Sequence, residues 1–249
     1  MLVWTGFLWD TRRFKLYVME DKLKRVELLL VEILEQRFVK VRKLARVAGM
    51  IGSFYLAMGN VTRFHTRGMM SQIAMVVDRY GWNGNLRIED RVVTELEFWR
   101  RNLRDLNGWE MRMSDKVVYC RDGQVEMFSD ASDLQVGGAR FYGEKVAWDT
   151  VFKAVLAEEE RKKSSMFREL RGIEEGILAN GRKLQGKVVR WGCDNWAAGK
   201  IVKLGSMKKD CYAVALRIEE LCRKWKIKLE TFWISRDSKQ IEYCDQVSK

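Results

Sequence analysis

The sequence predicts an α+β protein in two parts. A hairpin and helical region covers residues 1–115, and a unit over 116–249 carries a mixed five-stranded sheet with flanking helices. Three observations lead there. The chain has 249 residues, more than the roughly 100 to 200 of one domain, so two packed units can each bury a core. Apolar residues recur at helical spacing through most of the first part. After Ser114 they fall instead into short runs rich in valine and aromatic residues, the composition of strands.

In the first part, Trp4, Phe7 and Trp9, then Phe14, Leu16 and Val18, alternate with polar residues on either side of Asp10-Thr11-Arg12-Arg13, which predicts a hairpin. From Glu20, the spacing of Leu23, Val26, Leu30 and Ile33 predicts an amphipathic helix, and Leu44, Val47, Ile51 and Tyr55 predict a second. Two more are expected over about 62–80 and 88–106, the last running through Glu95–Arg101 and stopping at Asn107-Gly108.

In the second part, Val117–Cys120, Val125–Asp130, Val136–Tyr142 and Lys145–Trp148 read as strands, with Gly143-Glu144 as a tight turn. Gly137-Gly138 marks a bulge or a close backbone approach. A helix over Ser165–Asn180 and a strand over Lys187–Cys193 come next. They lead to a short helix after Asn195, a longer one through Val214, Ile218, Leu221 and Trp225, a strand over Lys228–Ile234 and a terminal helix. The order βββ-α-β-α-α-β-α is a meander feeding into helix-separated strands. It predicts a sheet that is antiparallel first and parallel afterwards, with helices on its faces.

Composition narrows the function. With 47% hydrophobic and 32% charged residues, the chain has enough apolar surface to fold, which excludes a disordered segment. Met1–Gly6 offers no basic region before an apolar stretch, and no apolar run approaches the roughly 18 residues of a spanning helix. An intracellular setting, cytoplasmic or nuclear, is therefore expected, without secretion or membrane insertion. Cysteines at 120, 193, 211, 222 and 244 are odd in number and form no CxxC pair, so reduced thiols are expected rather than disulfides or a zinc site. Of the net charge of +12, residues 1–116 contribute +7 (21 basic, 14 acidic), leaving +5 beyond. A basic surface over both parts suits a polyanion such as nucleic acid. GxGxxG and Walker patterns are absent, and His65, the single histidine, lies among helical residues as a structural group, so neither a nucleotide loop nor a Ser-His-Asp triad is expected. The chain contains no proline, which nothing in the sequence explains.

The acids carry the most specific signal. Phosphodiester cleavage by paired divalent ions needs several converging carboxylates. Asp130 ends the first long strand of the second part and Asp194 ends its central parallel strand, where ligands of open sheets gather. Glu169 lies in the first turns of a helix that can cover those strand ends, and Asp245 lies on the terminal helix. Asp133 reads as a turn former, Glu174 and Glu175 as helix surface, and Asp149 as unconnected with the site.

These residues resemble the C-terminal part of reverse transcriptase polyproteins from DIRS-like retroelements, in which the end of the polymerase runs into an RNase H domain. In the first part, Trp4–Asp10 looks like the strand after the polymerase palm. Val41–Ala45, Val61–Arg63 and Glu97–Trp99 through Asn107-Gly108 look like the helical thumb and connection. In the second, Ser129–Asp133, then Ser164-Ser165 with Arg168–Leu170, then Cys193–Asn195 are similar to the three main nuclease motifs. The resemblance implies that 1–115 is a polymerase-end hairpin and helical thumb or connection-like region, and that 116–249 is an RNase H-like nuclease domain. Asp130, Glu169 and Asp194 would be metal ligands, with cleavage of the RNA strand of an RNA:DNA hybrid leaving 3′-hydroxyl and 5′-phosphate ends. The family has Trp-Ile-Pro-Arg about ten residues before its last aspartate, whereas here Trp233-Ile234-Ser235-Arg236 has serine and a longer spacer before Asp245. The Tyr-x-Asp-Asp turn of the polymerase is absent, so DNA synthesis by this chain alone is not expected.

On this reading two Mg²⁺ or Mn²⁺ ions are held by Asp130, bridging, with Glu169 and Asp194 on one each and Asp245 completing the set. Arg168, Asn195, Lys200, Lys203, Lys208 and Lys209 are the expected contacts to nucleic acid, whose phosphates and 2′-hydroxyls identify an RNA strand without reading its sequence. The partners implied are the hybrid and the polymerase region of the parent polyprotein. Two alternatives remain open: a binding module that keeps the fold without catalysis, and a DNA-acting nuclease of the same fold.

Overall fold

A computed structural model of the chain describes residues 1–110 and 124–249. It divides into two compact units, Met1–Val118 and Tyr119–Lys249. The strand expected over Val117–Cys120 lies outside the described residues.

In the first unit, β1 (Leu2–Trp4), β2 (Phe7–Asp10), β3 (Lys15–Val18) and β6 (Trp109–Glu110) form an antiparallel sheet in that order. The β2–β3 turn is the expected one, and Asp10 closes it by accepting the N–H groups of Arg12 and Arg13 at 3.1 Å. Asn107 does more than stop a helix. Its amide pairs with both backbone groups of Val18, fixing the end of β3.

Helix α1 (Glu20–Gln36) buries the predicted stripe of Leu23, Val26, Leu30 and Ile33. Helix α2 (Val41–Ser53) buries Val41, Leu44, Val47 and Ile51, but it ends before Tyr55, which opens the single turn α3 (Tyr55–Met58). The helix expected over 62–80 is interrupted at His65-Thr66, giving α4 (Val61–Phe64) and α5 (Arg67–Tyr80). The break has a distant cause. Glu95, buried on α6 (Asp90–Asn102), accepts the N–H groups of Gly68 and Met69 at 2.6 and 2.8 Å and caps α5 from another helix. His65 is buried and stacks on Phe98 with ring centroids 3.5 Å apart, in keeping with a structural group. A two-stranded ribbon, β4 (Phe38–Lys40) with β5 (Asn85–Arg87), is unexpected, since three-residue strands carry no readable periodicity.

The second unit is a mixed five-stranded sheet in the order β11-β10-β7-β8-β9. Its strands are β7 (Gln124–Ala131), β8 (Gln135–Tyr142), β9 (Lys145–Val155), β10 (Val188–Cys193) and β11 (Lys228–Trp233). β7, β8 and β9 are antiparallel neighbours, whereas β10 runs parallel to both β7 and β11, as the element order predicts. Between them lie α7 (Glu158–Arg161), α8 (Ser165–Leu184), α9 (Trp196–Leu204), α10 (Lys209–Lys224) and α11 (Lys239–Ser248). This is the mixed five-stranded sheet with flanking helices that the element order predicts.

β9 is longer than its expected end at Trp148. The ladder with β8 shifts register between Gly138 and Arg140, the bulge expected at the glycine pair, and Thr150 patches it. The Thr150 hydroxyl accepts the Arg140 N–H and donates to the Ala147 carbonyl, so a polar Asp149-Thr150 sits inside a strand. On one face Phe128, Ala139 and Phe141 pack under Ile241 and Cys244 of α11. On the other, Trp191 of β10 is fully buried below α8, and its indole donates to Ser129. Gly176 of α8 makes that approach possible, because a Cβ there would stand 2.4 Å from the Trp191 ring.

Glu174 corrects the sequence reading. It is not surface but 4% exposed, held by Arg171 of its own helix and by Arg217 of α10. Burial forces such a carboxylate to be paired. Of the thiols, Cys193, Cys211 and Cys244 are buried and Cys222 is half-buried, all free. Among the described residues no helix is long and apolar enough to cross a membrane.

Candidate functional site

Register brings the acids together. In the parallel pair, Gly192 of β10 stands opposite Phe128 of β7. Asp130 and Asp194 each lie two residues further along, so both emerge at the carboxyl end of the sheet. Alternation along β7 turns Ser129 toward α8 and Asp130 toward α11. Helix α8 starts at Ser164, whose hydroxyl accepts the Phe167 N–H, and Glu169 follows one turn later over the strand ends.

Oxygens of Asp130, Glu169 and Asp194 lie within 4.8 Å of one another. They floor a cleft of about 720 Å³ whose rim includes Ser132, Asp133, Trp196, Arg236, Asp245 and Lys249. Asp245 shares the cleft but stands outside that group of three, and its carboxylate is paired to Lys249 at 2.6 Å. It reaches the cleft because Gly137 opposite Asp130 has no side chain. A Cβ there would lie 2.8 Å from Val247 and 2.9 Å from the Ser248 N–H, lifting α11 off the sheet. The close seat also lets the Ser248 hydroxyl donate to Asp130 at 3.3 Å.

The three carboxylates are poorly compensated. Burial holds Glu169 well above the usual carboxylate range, and the charges of Asp130 and Asp194 add to the effect; a backbone hydrogen bond from Ala131 and the charge of Arg168 oppose it. Glu169 Oε2 is buried and without a hydrogen-bond partner. Asp130 is raised by burial first, then by Asp194 and Asp245, against the Ser248 hydrogen bond and Arg236. Among the described residues, the one ion pair made by these three acids is a long contact from Arg236 Nε to Asp194 at 3.9 Å. The neighbouring Cys193 thiol, pushed up to about 12 by burial and by Glu169, stays protonated and is no nucleophile.

The expected contacts to nucleic acid divide. Arg168 lines the cleft, but its terminal nitrogens are engaged by Asp133 at 2.7 Å and by the carbonyls of Arg161 and Lys163. It braces the start of α8. Asn195 caps α9 by accepting the Ala198 N–H. Lys200 and Lys203 on α9 and Lys208 and Lys209 at the head of α10 are exposed, and none lines the cleft. Sequence reasoning missed Trp196, which stands 60% exposed on the rim with Lys200 Nζ 3.5 Å from its ring centroid. A tryptophan in the first turn after an N-cap, on a face that must be solvated, was the available signal.

No known protein-family model matches the chain, and no curated protein is similar to it in sequence. Among solved structures it is similar to RNase H1 from the halophilic archaeon Halobacterium salinarum NRC-1, with 14% identity over 50% of this chain and 94% of that one and a TM-score of 0.40. It is also similar to the N-terminal RNase H domain of Rv2228c from Mycobacterium tuberculosis, with 13% identity over 51% and 91% and a TM-score of 0.39. A third similarity is to a foamy viral protease-reverse transcriptase solved with double-stranded DNA, with 10% identity, 94% of this chain, 37% of that one and a TM-score of 0.35.

Proposed function

We propose that residues 116–249 form a divalent-metal-dependent ribonuclease acting on the RNA strand of an RNA:DNA hybrid, and that the chain is the C-terminal portion of a retroelement reverse transcriptase of DIRS-like kind. The observation that carries the reading is the convergence of Asp130, Glu169 and Asp194 with Glu169 Oε2 buried and unpartnered. An all-oxygen, uncompensated acidic set fits hard cations such as Mg²⁺ or Mn²⁺. Asp130, Glu169 and Asp194 would hold two ions, with Asp245 as a fourth ligand. Ions so bound supply activation of an attacking water and stabilisation of the leaving oxygen in phosphodiester hydrolysis.

The chain's own residues supply position. The register of β7 and β10 fixes Asp130 and Asp194, and α8 lays Glu169 across them. Ser248 orients Asp130. The exposed lysines of α9 and α10 meet phosphates, and residues 1–115 act as the thumb or connection that extends the basic surface.

Labelled hybrid incubated with Mg²⁺ tests the reading, with duplex DNA and a four-way junction alongside. Cleavage of the RNA strand that Asp194→Asn abolishes supports it; equal cleavage by wild type and variant refutes it. A second reading, a fold retained for binding without catalysis, is favoured by one observation, the pairing of Asp245 to Lys249 outside the group of three.

A further inference from the structure

The cleft has three cationic side chains on its lining among the described residues, Arg168, Arg236 and Lys249. Two are committed. Arg168 is 14% exposed and tied to Asp133 and two carbonyls, and Lys249 is held by Asp245 at 2.6 Å. Arg236 is different: it is exposed as Lys249 is, but among the described residues its one ion pair is the long 3.9 Å contact to Asp194.

Its backbone, by contrast, is pinned to the acids. The Trp233 indole donates to the Asp194 carbonyl at 3.0 Å, and the Ile234 N–H donates to the Cys193 carbonyl at 3.2 Å. On the far side the Ser235 carbonyl accepts the Ser238 N–H at 3.1 Å, and Ser238 caps α11. A loosely held guanidinium on a fixed base, within reach of uncompensated carboxylates, can serve either of two anions. Guanidinium is also the side chain best suited to phosphate, through its planar fork of donors.

We infer that Arg236 is an exchanging cation, resting on Asp194 in the ion-free protein and turning onto a backbone phosphate of the bound nucleic acid once divalent ions occupy the carboxylates. This rests on the nuclease reading of the cleft. It makes Arg236 a substrate-gripping residue whose engagement depends on metal, and it gives the Trp233–Arg236 segment a purpose that needs no proline.

Two measurements test it, neither of them turnover. In the first, Mn²⁺ is titrated calorimetrically into the full chain without nucleic acid. Arg236→Ala removes a competing charge and should bind Mn²⁺ about two- to tenfold more tightly, while Arg236→Lys should stay near wild type. In the second, affinity for a hybrid with a 2′-O-methylated RNA strand, which keeps the strand intact, is followed against salt in chelator and in Mn²⁺. In chelator wild type and Arg236→Ala should match. With Mn²⁺ the wild type should gain about tenfold in affinity and about one unit of salt slope, and Arg236→Ala should not. Arg182→Ala is the charge control, on the last turn of α8 and 13 residues from Glu169, roughly 20 Å along the axis. Unchanged Mn²⁺ affinity together with an unchanged Mn²⁺-dependent gain in Arg236→Ala overturns the inference. Failure of the wild type to bind hybrid sinks the nuclease reading instead, and the Mn²⁺ titration then decides Arg236 alone: an unchanged value overturns its role.

Discussion

Glu169→Gln should make the metal-free protein more stable at neutral pH, although it removes a buried group of the proposed metal site. Two unit charges 4.8 Å apart repel by about 3.5 kcal/mol at an effective dielectric constant of 20, and Glu169 has two such neighbours besides its burial. A proton on the carboxyl would limit that penalty. Holding a carboxyl with an unfolded pKa of about 4.3 protonated costs about 1.4 kcal/mol per pH unit above it, which caps the penalty near 4 kcal/mol at pH 7.5. Glutamine keeps the shape without the penalty, but its amide inherits the place where Oε2 has no partner, and that returns about 1–3 kcal/mol. The expected net gain is about 1–3 kcal/mol, or roughly 4 °C in Tm per kcal/mol for a unit of this size.

The direction of the shift fixes the pH window. Because the folded pKa of Glu169 is raised, wild-type stability attributable to this group is complete below about pH 4.3 and is lost as pH rises toward the folded value. By the same arithmetic the variant should be about 1–3 kcal/mol less stable than wild type at pH 4, where only the unpartnered amide counts, and its advantage should be largest at pH 7.5 and above. Circular dichroism melts in chelator across pH 4–8.5 measure it, and millimolar Mn²⁺ should close the gap by stabilising only the wild type appreciably. A variant less stable than wild type at pH 7.5 in chelator, or a gap independent of pH, would refute the claim that Glu169 is held against its neighbours' charges.

Other expectations follow from the same geometry. Asp245→Asn should lower cleavage of a hybrid by less than Asp194→Asn does, and rising Mg²⁺ should recover part of the loss; equal effects would place Asp245 inside the group of three. Gly176→Ala sets a methyl 2.4 Å from the buried Trp191 ring and should cost about 1–3 kcal/mol in urea unfolding, with no change in the slope. Glu174→Ala takes one of three carboxylates from Arg171, whose side chain is 15% exposed and keeps Glu160 and Glu175, and should cost about 1–2 kcal/mol, whereas truncating the half-exposed Arg217 should cost under 1 kcal/mol.

What could be read in the sequence is what local spacing encodes. The stripe of Leu23, Val26, Leu30 and Ile33 made α1 visible, and the acids at the ends of β7 and β10 were visible because strand runs stop beside them. What could not be read depends on pairing across long separations. Glu95 caps the start of α5 from a helix further along the chain, and nothing near His65 announces it. Asp149-Thr150 looked like the end of a strand because the bulge that Thr150 bridges is a property of two strands. Glu174 looked exposed beside Glu175, and only the packing of α10 brings Arg217 across it. In the site, the sequence already set Asp245 below the other three acids by the altered motif before it, and the pairing of Lys249 with Asp245 is a distinction that only the structure supplies.

That separation has a physical pattern. The cations lie at the rim, Arg236 against Asp194 and Lys249 against Asp245, while Asp130 and Glu169 sit deeper and carry the raised pKa values. Negative charge that the protein cannot offset with its own side chains is thus confined to the two most buried carboxylates of the cleft. A proton and a divalent ion are the remaining ways to neutralise it, and only the ion also satisfies the bare oxygen of Glu169. A fold that needed acids merely as solvated surface would have no reason to bury these two and leave the arginine outside. The burial works against the metal-free protein, and it is the arrangement expected where stability has been given up for a site that binds.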